Sequence, residues 1–318
     1  MFFQTAGIEV SPWVPPLVAF AISFFTSMGG VSGAFLLLPF QMSFLGYVNP
    51  SVSATNQLFN IVAIPSGVYR YYKEGRMVWP LTWAVIIGTL PGVFIGAIVR
   101  VAYLPDPQNF KLFAALVLLY IGGRMIQALL TKQRSGINKS SVEQRFRELA
   151  RGHRKTPENS TCPEPLPAVK VTCFDSKRVG YTFYGEHCEA PTWGILALSF
   201  VVGIIGGIYG TGGGAIIAPF FVSIFKLPIY TVAGAALMGT FVTSVAGVVF
   251  YQAIAPLYPN TSVAPDWLLG FLFGIGGMCG MYLGARFQKL VPAKAIKWML
   301  AGIIVFAAVK YIAAFFGL

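Results

Sequence analysis

The chain has 318 residues, 56% of them hydrophobic and 11% charged, with a mean hydropathy of +0.68. A soluble domain carries about 25% charged residues, so ordinary soluble classes are excluded and a polytopic membrane protein is implied. The net charge of +12 does not point to nucleic acid, because most Lys and Arg lie between apolar segments, where membrane topology accounts for them.

The start, "MFFQTAGIEVSPWVPP", has no basic n-region and no small-residue cleavage site before its first apolar run. A cleaved signal peptide is therefore not expected, and the first helix is expected to target the chain. Stretches nearly free of charge follow at roughly 14–46, 51–69, 78–99 and 112–130, and again at 191–225, 228–265, 267–285 and 298–318. A helical span needs about 20 apolar residues, and these stretches lack the alternation of barrel strands, so helices are expected. The first run of each set is too long for one span, too short for two, and interrupted by glycines near its middle. Each is expected to form a hairpin of two half-length helices, followed by three full spans.

The two sets form an internal repeat. Setting Pro39 against Pro219 aligns residues 30–71 with 210–251 without a gap, at an offset of 180. Identical pairs include Gly30/Gly210, Gly33/Gly213, Phe40/Phe220, Val62/Val242, Gly67/Gly247 and Tyr71/Tyr251. The register then shifts by eight, and Gly88, Gly92 and Gly96 fall on Gly276, Gly280 and Gly284. A glycine every fourth residue gives each of these helices one bare face for close packing. Between the sets, about 131–190 is polar: residues 141–151 resemble a short amphipathic helix, and "VKVTCF" and "VGYTFY" flanking "DSKR" read as a β-hairpin. The chain thus divides into a first membrane repeat (1–130), an insert (131–190) and a second membrane repeat (191–318).

Charge sets the expected orientation. The loop after the second apolar segment is basic in the first half, with Arg70, Lys73 and Arg76, and free of Lys and Arg in the second, whereas Arg286, Lys289, Lys294 and Lys297 outnumber Arg100 and Lys111 in the later loops. Equivalent loops are then on opposite sides of the membrane, so the repeats are inverted, with the insert in the cytosol. Glycine-broken segments at matching positions in inverted halves point to a transporter's binding site.

The richest break is "GGIYGTGGGAIIAPF", residues 206–220. Its "GTGGGA" fits a dinucleotide fingerprint, but that needs a preceding strand and a soluble βαβ unit, and no acidic residue follows about 20 positions later. Glycines here serve either to pack and kink helices or to present backbone N–H groups to an anion at the starts of the following half-helices. Candidate contacts are Gly30, Ser32 and Gly33 in the first break and Gly210, Thr211, Gly212, Gly213 and Gly214 in the second. "SATNQLFN" adds Ser53, Thr55, Asn56, Gln57 and Asn60, and the second half Thr240, Thr243 and Ser244, amides and hydroxyls suited to oxyanion oxygens, with Asn60 and Thr240 matching at the 180 offset. The same residue types also glue membrane helices together.

Arg124 and Lys310 are repeat partners in the last segment of each half, placed either to attract an anion or to snorkel. No Asp or Glu lies deep in an apolar stretch, which leaves a carboxylate proton relay hard to place. Cys162, Cys173 and Cys188 share the insert at spacings unlike a zinc signature, and Cys279 lies in a glycine-rich helix, so neither a metal nor a cofactor is expected.

Through "GGVSGAFLLLPF", "GGIYGTGGGAIIAPF" and "TVAGAALMGTFVTSVAG" the sequence resembles the TauE/SafE family of sulfite exporters and sulfonate permeases, across nearly all of both membrane halves. The resemblance implies a prokaryotic inner-membrane carrier, not an enzyme, for sulfur-containing anions such as sulfite, sulfoacetate or other organosulfonates. Two departures stand out: Ser32 and Ala34 occupy positions that are Gly212 and Gly214 in the second half, and the insert is long. The expected partners are a small sulfur-containing anion and the bilayer, with a homo-oligomer left open. The rival readings are uptake of another small solute, or a sensor or assembly protein acting through the insert.

Overall fold

The computed structural model describes residues 1–28, 32–73, 75, 77–134, 169–175, 178–183, 186–214, 217–225, 227, 229–287 and 293–316. Five helices form the first half: α1 (Val14–Met28), α2 (Ala34–Ser43), α3 (Ser51–Lys73), α4 (Trp79–Ala102) and α5 (Pro107–Arg134). Five form the second: α6 (Thr192–Tyr209), α7 (Ile217–Ser223), α8 (Ile229–Ile254), α9 (Trp267–Phe287) and α10 (Ala293–Phe316). Among the described residues four segments, Trp79–Ala102, Thr192–Tyr209, Thr231–Leu257 and Trp267–Gly284, are long and apolar enough to cross a membrane. The described strands form only small antiparallel sheets, β1 (Phe2–Phe3) with β2 (Ile8–Glu9), and β3 (Lys170–Phe174), β4 (Arg178–Phe183) and β5 (Glu186–Pro191) in that order. The molecule is an all-α membrane protein.

Both initial apolar runs break into a helix pair, with unequal arms of 15 and 10 residues in the first half and 18 and 7 in the second. The longer arm of the second pair reaches full spanning length because no left-handed residue interrupts it before Gly210. In the first pair, Pro39 cannot donate to the carbonyl four residues back. Tyr209 of the other half supplies the missing donor, its hydroxyl lying 2.9 Å from the Phe35 carbonyl oxygen.

The halves interlock. Helix α1 packs along α9 and α6 along α4, while α9 also packs on α3 and α4 on α8. Helices α5 and α10 pair with each other, as do α3 and α8. Each pairing maps onto another, or onto itself, when the halves are exchanged. The spaced glycines make the tightest of these seams. Methyl groups added at Gly92 and Gly96 would overlap the backbone of Phe200 and Ile204, one at Gly88 would overlap Ser199 Cβ and crowd the backbone of Leu196, and at Gly276, Gly280 and Gly284 they would overlap the backbone of Pro16, Phe20 and Phe24. The two sets of partners are again 180 residues apart, so the small-residue seam runs between halves rather than within one.

Helices α3 and α8 run antiparallel: Gln57 lies on Gly247, Gly67 beside Leu237, and Tyr71 on Gly234. At one end of the bundle the β1–β2 turn is fastened by Asp266, whose Oδ2 accepts from the Ala6 amide at 3.2 Å. Its Oδ1 caps α9 by accepting from the Leu269 amide at 3.0 Å. At the opposite end the β3–β5 sheet packs Val179, Tyr181 and Ala190 against Val78, Phe221 and Val232. The Tyr181 hydroxyl meets Thr231 Oγ1 at 2.7 Å, and burial pushes this phenol up from its ordinary range. The third strand, β5, adds to the hairpin expected from sequence; residues 141–151 lie outside the described residues.

Candidate functional site

The site is built around the break that follows α6. Gly210 ends that helix at φ +77, and Gly212 sits at φ +71, both in the left-handed region that a side chain resists. A helix ending inside an apolar bundle leaves carbonyls that must be satisfied. Here the first half satisfies them. Ser53 Oγ donates to the Ile208 carbonyl at 3.0 Å, Asn56 Nδ2 to Gly210 at 3.1 Å, and Asn60 Nδ2 to Thr211 at 2.9 Å. These three residues recur at intervals of three and four on α3, which puts them on one face.

The break's other side rests on α8. The Gly213 amide donates to Thr243 Oγ1 at 3.2 Å, and a methyl at Gly214 would overlap the Ala236 carbonyl and Thr240 Oγ1. A methyl at Gly212 would press on Ser244 Oγ. Thr240 and Thr243 also donate to their own helix, to the carbonyls of Ala236 at 2.8 Å and Gly239 at 2.7 Å.

Asn60 joins the two breaks. Its Oδ1 accepts from Ser32 Oγ at 2.8 Å, while its amide nitrogen donates to Thr211 on the opposite side. Ser32 Oγ in turn accepts from the Ala34 amide at 3.3 Å, at the start of α2. Asn56 Nδ2 reaches the Ala34 carbonyl at 2.9 Å, and Gln41 Nε2 donates to Asn56 Oδ1 at 3.3 Å. Gly33 begins α2 against Ser23 Oγ.

Not every buried polar atom is satisfied. Among the described residues, both side-chain polar atoms of Gln57, together with Gln41 Oε1, Ser23 Oγ and Ser199 Oγ, have no hydrogen-bond partner. Leaving such a group unmade costs about 1–3 kcal/mol. Gln57 stands out because its repeat equivalent is Leu237, which packs on Gly67 as Gln57 packs on Gly247. An apolar side chain suits this position, and the first half carries an amide there instead.

The structure therefore links Ser32, Asn56, Thr240 and Thr243 to the 210–214 turn, with Gly33 at the start of α2, and places Gln57 next to Asn56 on α3 but against Gly247. Gly30 lies outside the described residues. Arg124 and Lys310 stand apart from this cluster: Arg124 Nη1 donates to Gln127 Oε1 at 2.9 Å on α5, and Lys310 is exposed, 5.3 Å from the centre of the Phe44 ring. Two residues escaped the sequence reading. Gln41 is the one amide in the apolar segment "AFLLLPFQMS", a signal that was available. Arg100, assigned there to a loop, is in the last turn of α4 and fully buried. Its closeness to a segment end concealed this.

The machinery consists of neutral amides, hydroxyls and backbone groups at a helix break within an interlocked bundle, which is the architecture of a membrane transporter. The chain matches the family described as sulfite exporter TauE/SafE over residues 16–311, and it belongs to that family. It is similar to the probable membrane transporter protein YunE of Bacillus subtilis, with 24% identity covering 85% of this chain and 86% of the relative. It is also similar to the probable membrane transporter protein YdhB of the same organism, 26% identical over 36% of this chain and 44% of that relative. No solved structure matches the chain. The family and these relatives are transporters, not enzymes.

Proposed function

We propose that this transporter carries a small sulfur-containing oxyanion, sulfite or an organosulfonate, out of the cell by alternating access between two inverted repeats in a prokaryotic inner membrane, with the 131–190 insert in the cytosol. The observation that carries the reading is the buried, unpartnered Gln57 amide, which follows Asn56 on α3 and packs against Gly247 of α8. Its N–H groups are donors held in reserve in a place where leucine would pack. The antiparallel run of α3 and α8 supports the inverted arrangement.

Each residue has a distinct part. Asn56 and Asn60 spend their N–H groups on the carbonyls of residues 210 and 211, which masks the negative end of α6 from an anion. Occupied carbonyls also disfavour a cation held by the turn. Thr243 holds the Gly213 amide, and an arriving oxyanion takes over that N–H in place of the hydroxyl. Gln57 donates from the α3 side, Thr240 lines the contact with residue 214, and Ser32 sets the tilt of Asn60. The inside-negative potential favours anion efflux by about 2.3 kcal/mol per charge at roughly 100 mV, so export needs no proton relay.

Flux of labelled sulfite into or out of liposomes holding the purified protein tests the substrate class, with sulfoacetate, thiosulfate, sulfate and chloride as competitors. Saturable flux blocked by a sulfur anion is expected; no flux of any of these from folded, inserted protein contradicts it. Cysteine labelling at positions 262 and 294 tests the inversion, which requires position 262 outside and 294 inside.

A further inference from the structure

Arg100 is the only cation that the described residues bury in full. Its Nη2 donates to the Val48 carbonyl at 3.2 Å, its Nη1 to the Leu104 carbonyl, and the guanidinium carbon lies 3.7 Å from the centre of the Phe110 ring. These contacts use two of the five N–H groups of an arginine. Nε has no partner among the described residues, and no carboxylate among them pairs with the charge. Pinning two loop carbonyls needs only a neutral donor. A guanidinium stays protonated, and burying its charge uncompensated is costly, the ring face offsetting only part.

Its position relates to the glycine turn. Helices α4 and α6 run in the same direction, with Gly88, Gly92 and Gly96 meeting Leu196, Phe200 and Ile204 in step. Gly96 also touches Ile208, and Arg100 is one turn, about 6 Å, further along. Ala97 and Val101 on either side of Arg100 pack in one buried cluster with Tyr251, and the Val48 carbonyl that Arg100 holds adjoins Tyr47. The Tyr251 hydroxyl donates to Gly207 at 3.1 Å, in the last turn before the break. The Tyr47 hydroxyl meets Ser51 and Thr55 on α3 at 2.7 and 2.8 Å. The charge thus sits against the loop at 44–50, one turn of α4 beyond the Gly96–Ile208 contact that precedes the glycine turn, at the end of the bundle that carries the N-terminus.

We propose that Arg100 forms a second anion station, in which the free edge of its guanidinium takes a small oxyanion passing between the glycine turn and that end of the bundle. The inference rests on the transport reading and extends it: two stations in series, a neutral one at Gln57 and a charged one at Arg100. A guanidinium fork matches two oxygens of a sulfite or sulfonate. On the inverted topology this end is external, so the station receives an exported anion.

Equilibrium dialysis of purified full-length protein against radiolabelled sulfite tests this, using wild type, Gln57→Leu, Arg100→Gln and Arg100→Lys. Wild type is expected to bind two anions per chain. Gln57→Leu should keep the outer one, Arg100→Gln should lose it by about ten- to a hundredfold in affinity, and Arg100→Lys should recover part of the loss. Arg100→Gln retains a donor for the loop carbonyls, so a purely structural arginine would show unchanged binding in it, which overturns the proposal. Should the Arg100 variants fail to fold, Gln57→Leu still decides: a bound sulfite in that variant supports the outer station, and none overturns it. Loss in Gln57→Leu with none in Arg100→Gln defeats the outer station alone. Loss in Arg100→Gln with none in Gln57→Leu defeats the Gln57 reading and leaves the outer station standing.

Discussion

The two halves share a scaffold and differ at the centre. Gln57 on Gly247 and Leu237 on Gly67 are the same contact seen twice, yet one places an amide where the other places a leucine. Asn60 bridges both breaks with Ser32 and Thr211, whereas its counterpart Thr240 bonds back to its own helix at Ala236. The glycine seams show no such divergence: each close approach of α4 to α6 has its match in α9 against α1. Packing is held to the symmetry of the repeat, while the polar chemistry is concentrated on α3.

The largest expected effects fall on the symmetric part. Gly92→Leu and Gly280→Leu each force a side chain into opposing backbone, costing well above the ~1–3 kcal/mol of ordinary overpacking. Both should abolish the monodisperse peak in detergent size-exclusion chromatography; survival of one alone would break the equivalence of the seams. Next comes the asymmetric bridge. Asn60→Ala leaves the Thr211 carbonyl and Ser32 hydroxyl without their partner and should destabilise by about 2–4 kcal/mol, against under about 1 kcal/mol for Thr240→Val, in thermal unfolding. Equal losses would mean that the two positions do the same work.

Leu237→Gln copies the first half's amide into the second. It should cost about 1–3 kcal/mol as an unsatisfied buried group and add no flux, since the first break carries Ser32 and Ala34 where the second carries Gly212 and Gly214. Tyr209→Phe strips the donor from the Phe35 carbonyl left open by Pro39, worth about 1 kcal/mol by the same thermal measurement.

Much of the scaffold was legible in the sequence because its causes are periodic. The 180-residue offset, the four-residue glycine spacing and the break at 206–220 are one-dimensional patterns with direct packing consequences. The seams' partners were not legible, since nothing in "GTLPGVFIG" says that its bare face meets the first helix of the other half. The polar residues were found by type, but their division of labour depends on rotation about α3: Asn56 faces the 210 carbonyl while its neighbour Gln57 faces Gly247. Arg100 and Gln41 were missed for opposite reasons. One lay too close to a segment end to read as buried, and the other was a single polar residue in an apolar run.

Gln57→Leu, which makes the α3 and α8 contacts alike, tests the central claim most directly when thermal midpoint and sulfite flux are measured on the same preparation. The account predicts that the midpoint rises, because a leucine replaces an unsatisfied amide, while flux falls by at least about tenfold. A lowered midpoint with flux intact would show that the amide serves packing and that the anion is held elsewhere.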